Sequence, residues 1–163
     1  MAVSSDLWPS SNLFLKGTFM RKFLSGLSIA VASSLAFAGP ILDGNPQVKA
    51  VYHINSNIES AAQSLGNINN HLNADPTAKF VVVTHSLGID FLLSGAKDSK
   101  GREFAGTVST LAGRGVEFRV CNNTLVNRKI DPAKLLLETK IVPSGVAEVA
   151  LLQQRYGYSY VKP

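Results

Sequence analysis

Cysteine is nearly missing from this chain: Cys121 stands alone among 163 residues. A single thiol excludes an internal disulfide framework and any zinc knuckle built from several cysteines. Blocks of like charge are also missing. The 16 Lys+Arg and 11 Asp+Glu give a net charge of +5, and they are scattered, whereas a nucleic-acid protein shows a concentrated basic stripe. No nucleic-acid partner is therefore expected. A phosphate-cradling loop is missing where it would count. Gly113-Arg114-Gly115 precedes a strand-like run, while P-loops and dinucleotide loops follow one. No histidine lies beyond His85, and no internal repeat or low-complexity segment is evident. A hydrophobic fraction of 45% argues against wholesale disorder, and the length suits one compact domain.

What is present begins with a leader. Met20-Arg21-Lys22 is followed by an uncharged run, Phe23 to Ala38, that ends Ala36-Phe37-Ala38. A positive start, an apolar middle and an A-x-A ending predict a secretory signal cleaved after Ala38. The run contains Gly26 and several serines and falls short of the ~20 apolar residues of a spanning helix. No stable membrane anchor is expected, and the exported location is the periplasm. Residues 1–19, with Asp6, Trp8 and Pro9, are foreign to such a leader, so Met20 reads as the biological start. Residues 1–38 hold Lys16, Arg21, Lys22 and Asp6, so the remainder keeps 13 basic and 10 acidic residues, a net +3. The expected organisation is an extension and signal over 1–38, a flexible lead over 39–47 and one domain over 48–163.

That domain alternates strand and helix. Val48 to Ile54 reads as a strand, and Ile58, Ala62, Leu65, Ile68 and Leu72 recur at helical spacing up to Asp75-Pro76. Lys79 to Thr84 is nearly all apolar, the mark of a strand buried on both faces in a parallel sheet. A short helix is expected around Ile89 to Leu93, and a longer one carrying Phe104, Val108 and Leu111. Val116 to Val120 forms the third strand, with Cys121 at its end. Asn122 to Asn127 gives one or two turns, and Asp131-Pro132 predicts a helix through Leu137. Lys140 to Val142 is a fourth strand, Ser144 caps a last helix ended by Gly157, and Tyr158 to Val161 is a fifth strand. The expected class is α/β: a three-layer α/β/α sandwich with about five mostly parallel strands.

Ligands of open parallel sheets bind beyond the carboxyl ends of the strands. Three strands here end in chemically capable residues: His53 with Asn55, His85 with Ser86, and Cys121 with Asn122, Asn123 and Thr124. If those strands are neighbours, the groups line one crevice. Cys121 lies at a strand-to-helix junction, where free N–H groups and the helix dipole favour a thiolate. Arg119 and Arg128 are close in sequence and would add positive potential. A lone cysteine is also compatible with a small buried hydrophobe.

Thr84-His85-Ser86-Leu87-Gly88 resembles the G-x-S-x-G nucleophile elbow, but Thr84 replaces the first glycine and no histidine follows Ser86. Ser86 is instead expected to cap the helix after it. His53, His85 and Cys121 are a conceivable metal set. Histidines at strand ends are more ordinarily hydrogen-bonded structural residues, so no metal and no cofactor are expected. His71, late in the first helix, reads as a partner of the helix dipole.

The stretches Gly115-Val-Glu-Phe-Arg-Val-Cys121-Asn-Asn-Thr-Leu125, Val142-Pro-Ser-Gly-Val-Ala-Glu148 and Tyr156-Gly-Tyr158 to Lys162-Pro163 resemble the DsrE/DsrF-like family, most closely its secreted single-domain branch. The resemblance runs from about Val48 to Pro163. It implies a three-layer fold and assembly into homotrimers or homohexamers. It also implies that Cys121 carries a persulfide received from a sulfur donor and passed to an acceptor, whether protein or small sulfur compound. Leu125, Arg128 and Ile130 resemble the helix that follows the family's cysteine. The relay proteins of the family work in the cytoplasm as hetero-oligomers, whereas this chain carries an export leader.

The leading expectation is a sulfur carrier, at most sulfurtransferase-like. Cys121 is the nucleophile, Arg119 and Arg128 steady the anion, Asn122, Asn123 and Thr124 surround it, and His85 moves protons beside His53. The alternative is a non-catalytic oligomeric binding module of the same fold, in which the cysteine is structural.

Overall fold

The computed structural model describes residues 46–163. The leader, the start at Met20 and most of the flexible lead lie outside the described residues. Five strands, β1 (Lys49–Ile54), β2 (Lys79–Thr84), β3 (Glu117–Cys121), β4 (Thr139–Val142) and β5 (Ser159–Val161), form one sheet in the order β4-β3-β2-β1-β5. Every pairing is parallel. Four helices connect them: α1 (Ile58–Ala74), α2 (Phe104–Gly113), α3 (Asn122–Asn127) and α4 (Gly145–Tyr156). The expected α/β/α architecture is the observed one.

Alternation along the strands divides the sheet into two unequal faces. Ala50, Tyr52, Ile54, Phe80, Val82, Phe118 and Val120 point into the larger core, against Leu65, Ile68 and Leu72 of α1 and Phe104, Val108 and Leu111 of α2. Residues one place along the strands face the other way. There Val51, Val81 and Val83 meet only Val149 and Leu152 of α4, with Tyr158 beside them. This thinner face also carries His53, Glu117, Arg119 and Cys121, alternate residues on their strands. Polar chemistry therefore collects where one helix alone covers the sheet.

The ends of α4 follow from its sequence. The Ser144 hydroxyl accepts the Ala147 N–H at the front, and Gly157 closes the rear in the left-handed conformation at φ 70°. In α1 the Asn57 side chain accepts the Ser60 N–H.

The helix expected through Leu137 is absent. After a single 3-10 turn at Pro132–Lys134, the chain runs extended, and Leu136 N–H bonds Leu92 C=O at 2.9 Å while Ser94 N–H bonds Lys134 C=O at 2.8 Å. Backbone partners across the fold outweigh the local start signal, and Leu135 goes into the core while Leu137 is fully exposed. The short helix near Ile89 is a 3-10 segment, Ser86–Leu92, which Ser86 does not cap.

Candidate functional site

The sheet order puts β3, β2 and β1 side by side, so the three chemically capable strand ends do form one edge. Thr84 pairs with Val120, so the next residues, His85 and Cys121, leave the sheet as neighbours. Gly145, the first residue of α4, presses on both: an added Cβ there would lie 3.2 Å from the Cys121 Cβ and 3.3 Å from the His85 Cβ. Cys121 is consequently only 5% exposed.

Burial pushes the Cys121 thiol up, but hydrogen bonding outweighs it. The Gly145 N–H, the Thr124 hydroxyl and the N–H groups of Thr124 and Asn123 surround the sulfur and hold its pKa below the ordinary value. Two of these donors open α3 and one opens α4, so orphan N–H groups of two helix starts converge on a single atom. The site favours a thiolate, the nucleophilic form of cysteine.

The Thr124 hydroxyl is itself held in place. Its oxygen accepts the Ser86 N–H at 3.0 Å, which leaves its own proton to point at the sulfur. Ser86 aims that N–H from a left-handed conformation, φ 54°, which is strained for a residue with a side chain. The strain is pinned from outside. The Arg128 guanidinium donates to the Ser86 carbonyl at 2.9 Å and to Asp90 at 2.7 Å.

On the other side of His85 lies a chain of polar groups. The Ser86 hydroxyl sits 2.9 Å from His85 Nδ1, His85 Nε2 sits 2.7 Å from His53 Nε2, and His53 Nδ1 sits 2.9 Å from the Tyr160 hydroxyl. Both imidazoles have lowered pKa values. Burial is the main cause for each; Lys162 acts on both, and His85 acts on His53.

Residues 41–163 match the DsrE/DsrF-like family. The chain belongs to that family. Among solved structures it is similar to a protein of unknown function, MTH1491 from Methanobacterium thermoautotrophicum, with 31% identity and a TM-score of 0.63, covering 72% of this chain and all of that one. It is also similar in fold to the ychN protein of E. coli, with 17% identity and a TM-score of 0.60 over the same shares. A comparison with curated proteins returns no match.

Within this DsrE/DsrF-like chain some expected residues take other parts. Arg119 shares the face of Cys121, but its guanidinium is bound by Glu148 and, at 2.9 Å, by Glu117. Arg128 is spent on Asp90 and the Ser86 carbonyl. The leading groups that lower the thiol's pKa are the N–H groups of Gly145, Thr124 and Asn123 and the Thr124 hydroxyl. The Asn122 and Asn123 side chains are exposed, and Asn123 contributes through its backbone. His71 lies in the last turn of α1, as expected, and its ring meets the Tyr52 hydroxyl at 2.8 Å. Among the described residues, no group of three or more His, Cys, Asp or Glu is placed to hold a metal ion.

Tyr160 and Gly145 are the two residues that sequence reasoning did not single out. Tyr160 reaches His53 across 107 positions of sequence, and only the placement of β5 beside β1 brings them together. Gly145 carried a signal of sorts, since a glycine just after a helix cap is a poor helix former and calls for a reason of close approach.

Proposed function

We propose that this protein is a sulfur carrier in which Cys121 accepts sulfane sulfur as a persulfide and hands it on. The observation that carries the reading is the Cys121 sulfur beneath the start of α4, ringed by Gly145, Asn123 and Thr124 donors that favour its anion. The DsrE/DsrF-like family is generally linked to sulfur relay, which supports the same reading. A terminal persulfide sulfur is anionic at neutral pH, and the N–H groups that stabilise the thiolate would stabilise it too. The leader at Met20 to Ala38 supports work in the periplasm, where oxidation of an open thiol is a hazard; burial of Cys121 limits that exposure. Homotrimeric or homohexameric assembly is part of the proposal, as is a donor or acceptor that is a protein or a small sulfur compound.

Intact mass spectrometry under non-reducing conditions, after incubation with polysulfide, tests it. The expected result is the gain of one sulfur atom, lost in Cys121→Ser. If the wild-type protein gains no sulfur and Cys121 resists alkylation, the carrier reading falls, and a binding module with a structural thiol takes its place.

A further inference from the structure

We propose that Tyr160, His53, His85 and Ser86 form a proton wire that serves sulfur transfer at Cys121, with Tyr160 as its solvent end. The proposal rests on the carrier reading above and adds to it the residues that move the proton.

A neutral imidazole has one N–H and one bare nitrogen. The contact between the two Nε2 atoms, at 2.7 Å, therefore needs a proton on one ring and none on the other. If His53 donates at Nε2, its Nδ1 accepts from the Tyr160 hydroxyl, and His85 must then carry its proton on Nδ1 and donate to the Ser86 oxygen. If His85 donates at Nε2, every bond reverses, and Ser86 becomes the donor at the inner end. Both arrangements satisfy every nitrogen with both rings neutral. A chain with two complete and opposite directions transfers one proton along its length when it switches.

The ends of the wire suit this task. Tyr160 is 44% exposed on edge strand β5, so water can recharge it. Ser86, itself exposed and so open to an incoming donor, stands at the other end, and its backbone N–H binds the Thr124 hydroxyl that faces the Cys121 sulfur. The charged group acting on both rings is Lys162, beyond β5; the titratable neighbours are the Tyr160 hydroxyl on His53 and Cys121, which ends β3 next to the strand that His85 follows. From α4 comes Gly145, which bears no charge. Arg119 and Glu148, on the same sheet face, are paired with each other.

The step balances without an oxidant. The Cys121 thiolate attacks the terminal sulfur of a persulfide donor, RSSH, and a new S–S bond forms on Cys121. The donor's own S–S bond breaks, and its electron pair leaves with RS⁻. The Ser86 hydroxyl gives RS⁻ a proton and is refilled through His85, His53 and Tyr160 from water, so that RSH departs. The proton carried over on the new Cys121 persulfide is released to water, so one proton enters and one leaves.

Single-turnover loading of the full chain by glutathione persulfide, read by mass as one sulfur gained, tests the wire across a range of pH. Tyr160→Phe keeps the ring and removes only the hydroxyl, and His53→Gln removes one imidazole. Each is expected to slow loading near neutral pH by roughly a hundredfold, the low end for lost acid–base catalysis. Added imidazole should restore much of the rate in His53→Gln, which it would not do for a merely structural residue. Loading at the wild-type rate in both variants overturns the wire and leaves the carrier reading standing. Failure of the wild-type protein to load sinks both. Stoichiometric zinc held through both histidines also overturns the wire, since the metal would occupy the nitrogens that pass the proton.

Discussion

Gly145 stands so close to Cys121 that any larger residue would push against the cysteine's own Cβ at 3.2 Å. The glycine is what lets the start of α4 bring its first N–H to the sulfur. Gly145→Ala is expected to shift the helix start by a few tenths of an ångström and weaken that bond. Burial, which opposes the thiolate, then gains ground. Alkylation of Cys121 by iodoacetamide near neutral pH should slow, while stability falls by only about 1 kcal/mol. An unchanged alkylation rate would mean that the Gly145 N–H does not hold the anion.

Thr124 is the hydroxyl-bearing donor to the sulfur, and it doubles as acceptor for the strained Ser86. Thr124→Val keeps the shape and removes both functions. The Cys121 pKa is expected to rise, because a hydrogen bond to the thiolate is lost. The Ser86 N–H is left without its acceptor, at a cost of about 1–3 kcal/mol if it stays buried. Thr124→Ser retains the hydroxyl and should keep the low pKa. The midpoint of the pH profile for thiol alkylation separates these outcomes, and equal midpoints for Val and wild type would refute the role.

Two glycines on the larger-core side of the sheet should respond in opposite directions to the same change. A Cβ on Gly88 would meet the Ile54 carbonyl oxygen at 2.1 Å and its carbon at 2.5 Å. Both obstacles are backbone, so β1 or the 3-10 segment must move. Gly88→Ala is expected to destabilise the fold by roughly 3 kcal/mol. Gly66 lies inside α1 with nothing within 4 Å of an added Cβ. Gly66→Ala should stabilise by about 0.5–1 kcal/mol, through helix propensity and a less free unfolded chain. Urea unfolding midpoints check both signs.

Much of this fold was open to reading in one dimension. Lys79 to Thr84 is apolar on both faces because parallel strands are covered on both sides, and Ser144 and Gly157 bracket α4 by cap chemistry that is local. Cys121 stood out because a strand end before a helix is a chemical environment that neighbours in sequence define. What escaped was set by partners far along the chain. The Asp131-Pro132 start failed because the backbone of Leu92 and Ser94 offered bonds to Lys134 and Leu136. The pairings of Arg119 with Glu148 and of Arg128 with Asp90 likewise join elements far apart in sequence. The link from Tyr160 to His53 depends on the order of the strands, which no local pattern encodes.

The histidine pair makes stability depend on pH in a stated direction. Burial, Lys162 and, for His53, the facing His85 hold both pKa values below the ordinary 6.5. As pH falls through 6.5 the unfolded chain takes up protons that the folded one still refuses. Stability therefore is full above 6.5 and declines on acidification until the lowered folded values are passed. Cys121 adds a second rise at higher pH. Its folded pKa is depressed, so the folded protein loses that proton first and gains stability as pH climbs toward the ordinary 9.0. Chemical denaturation at a series of pH values should show both rises. His53→Gln should flatten the lower one and leave the upper, while Cys121→Ser should do the reverse. A lower rise unchanged in His53→Gln would mean that other groups carry the acid sensitivity.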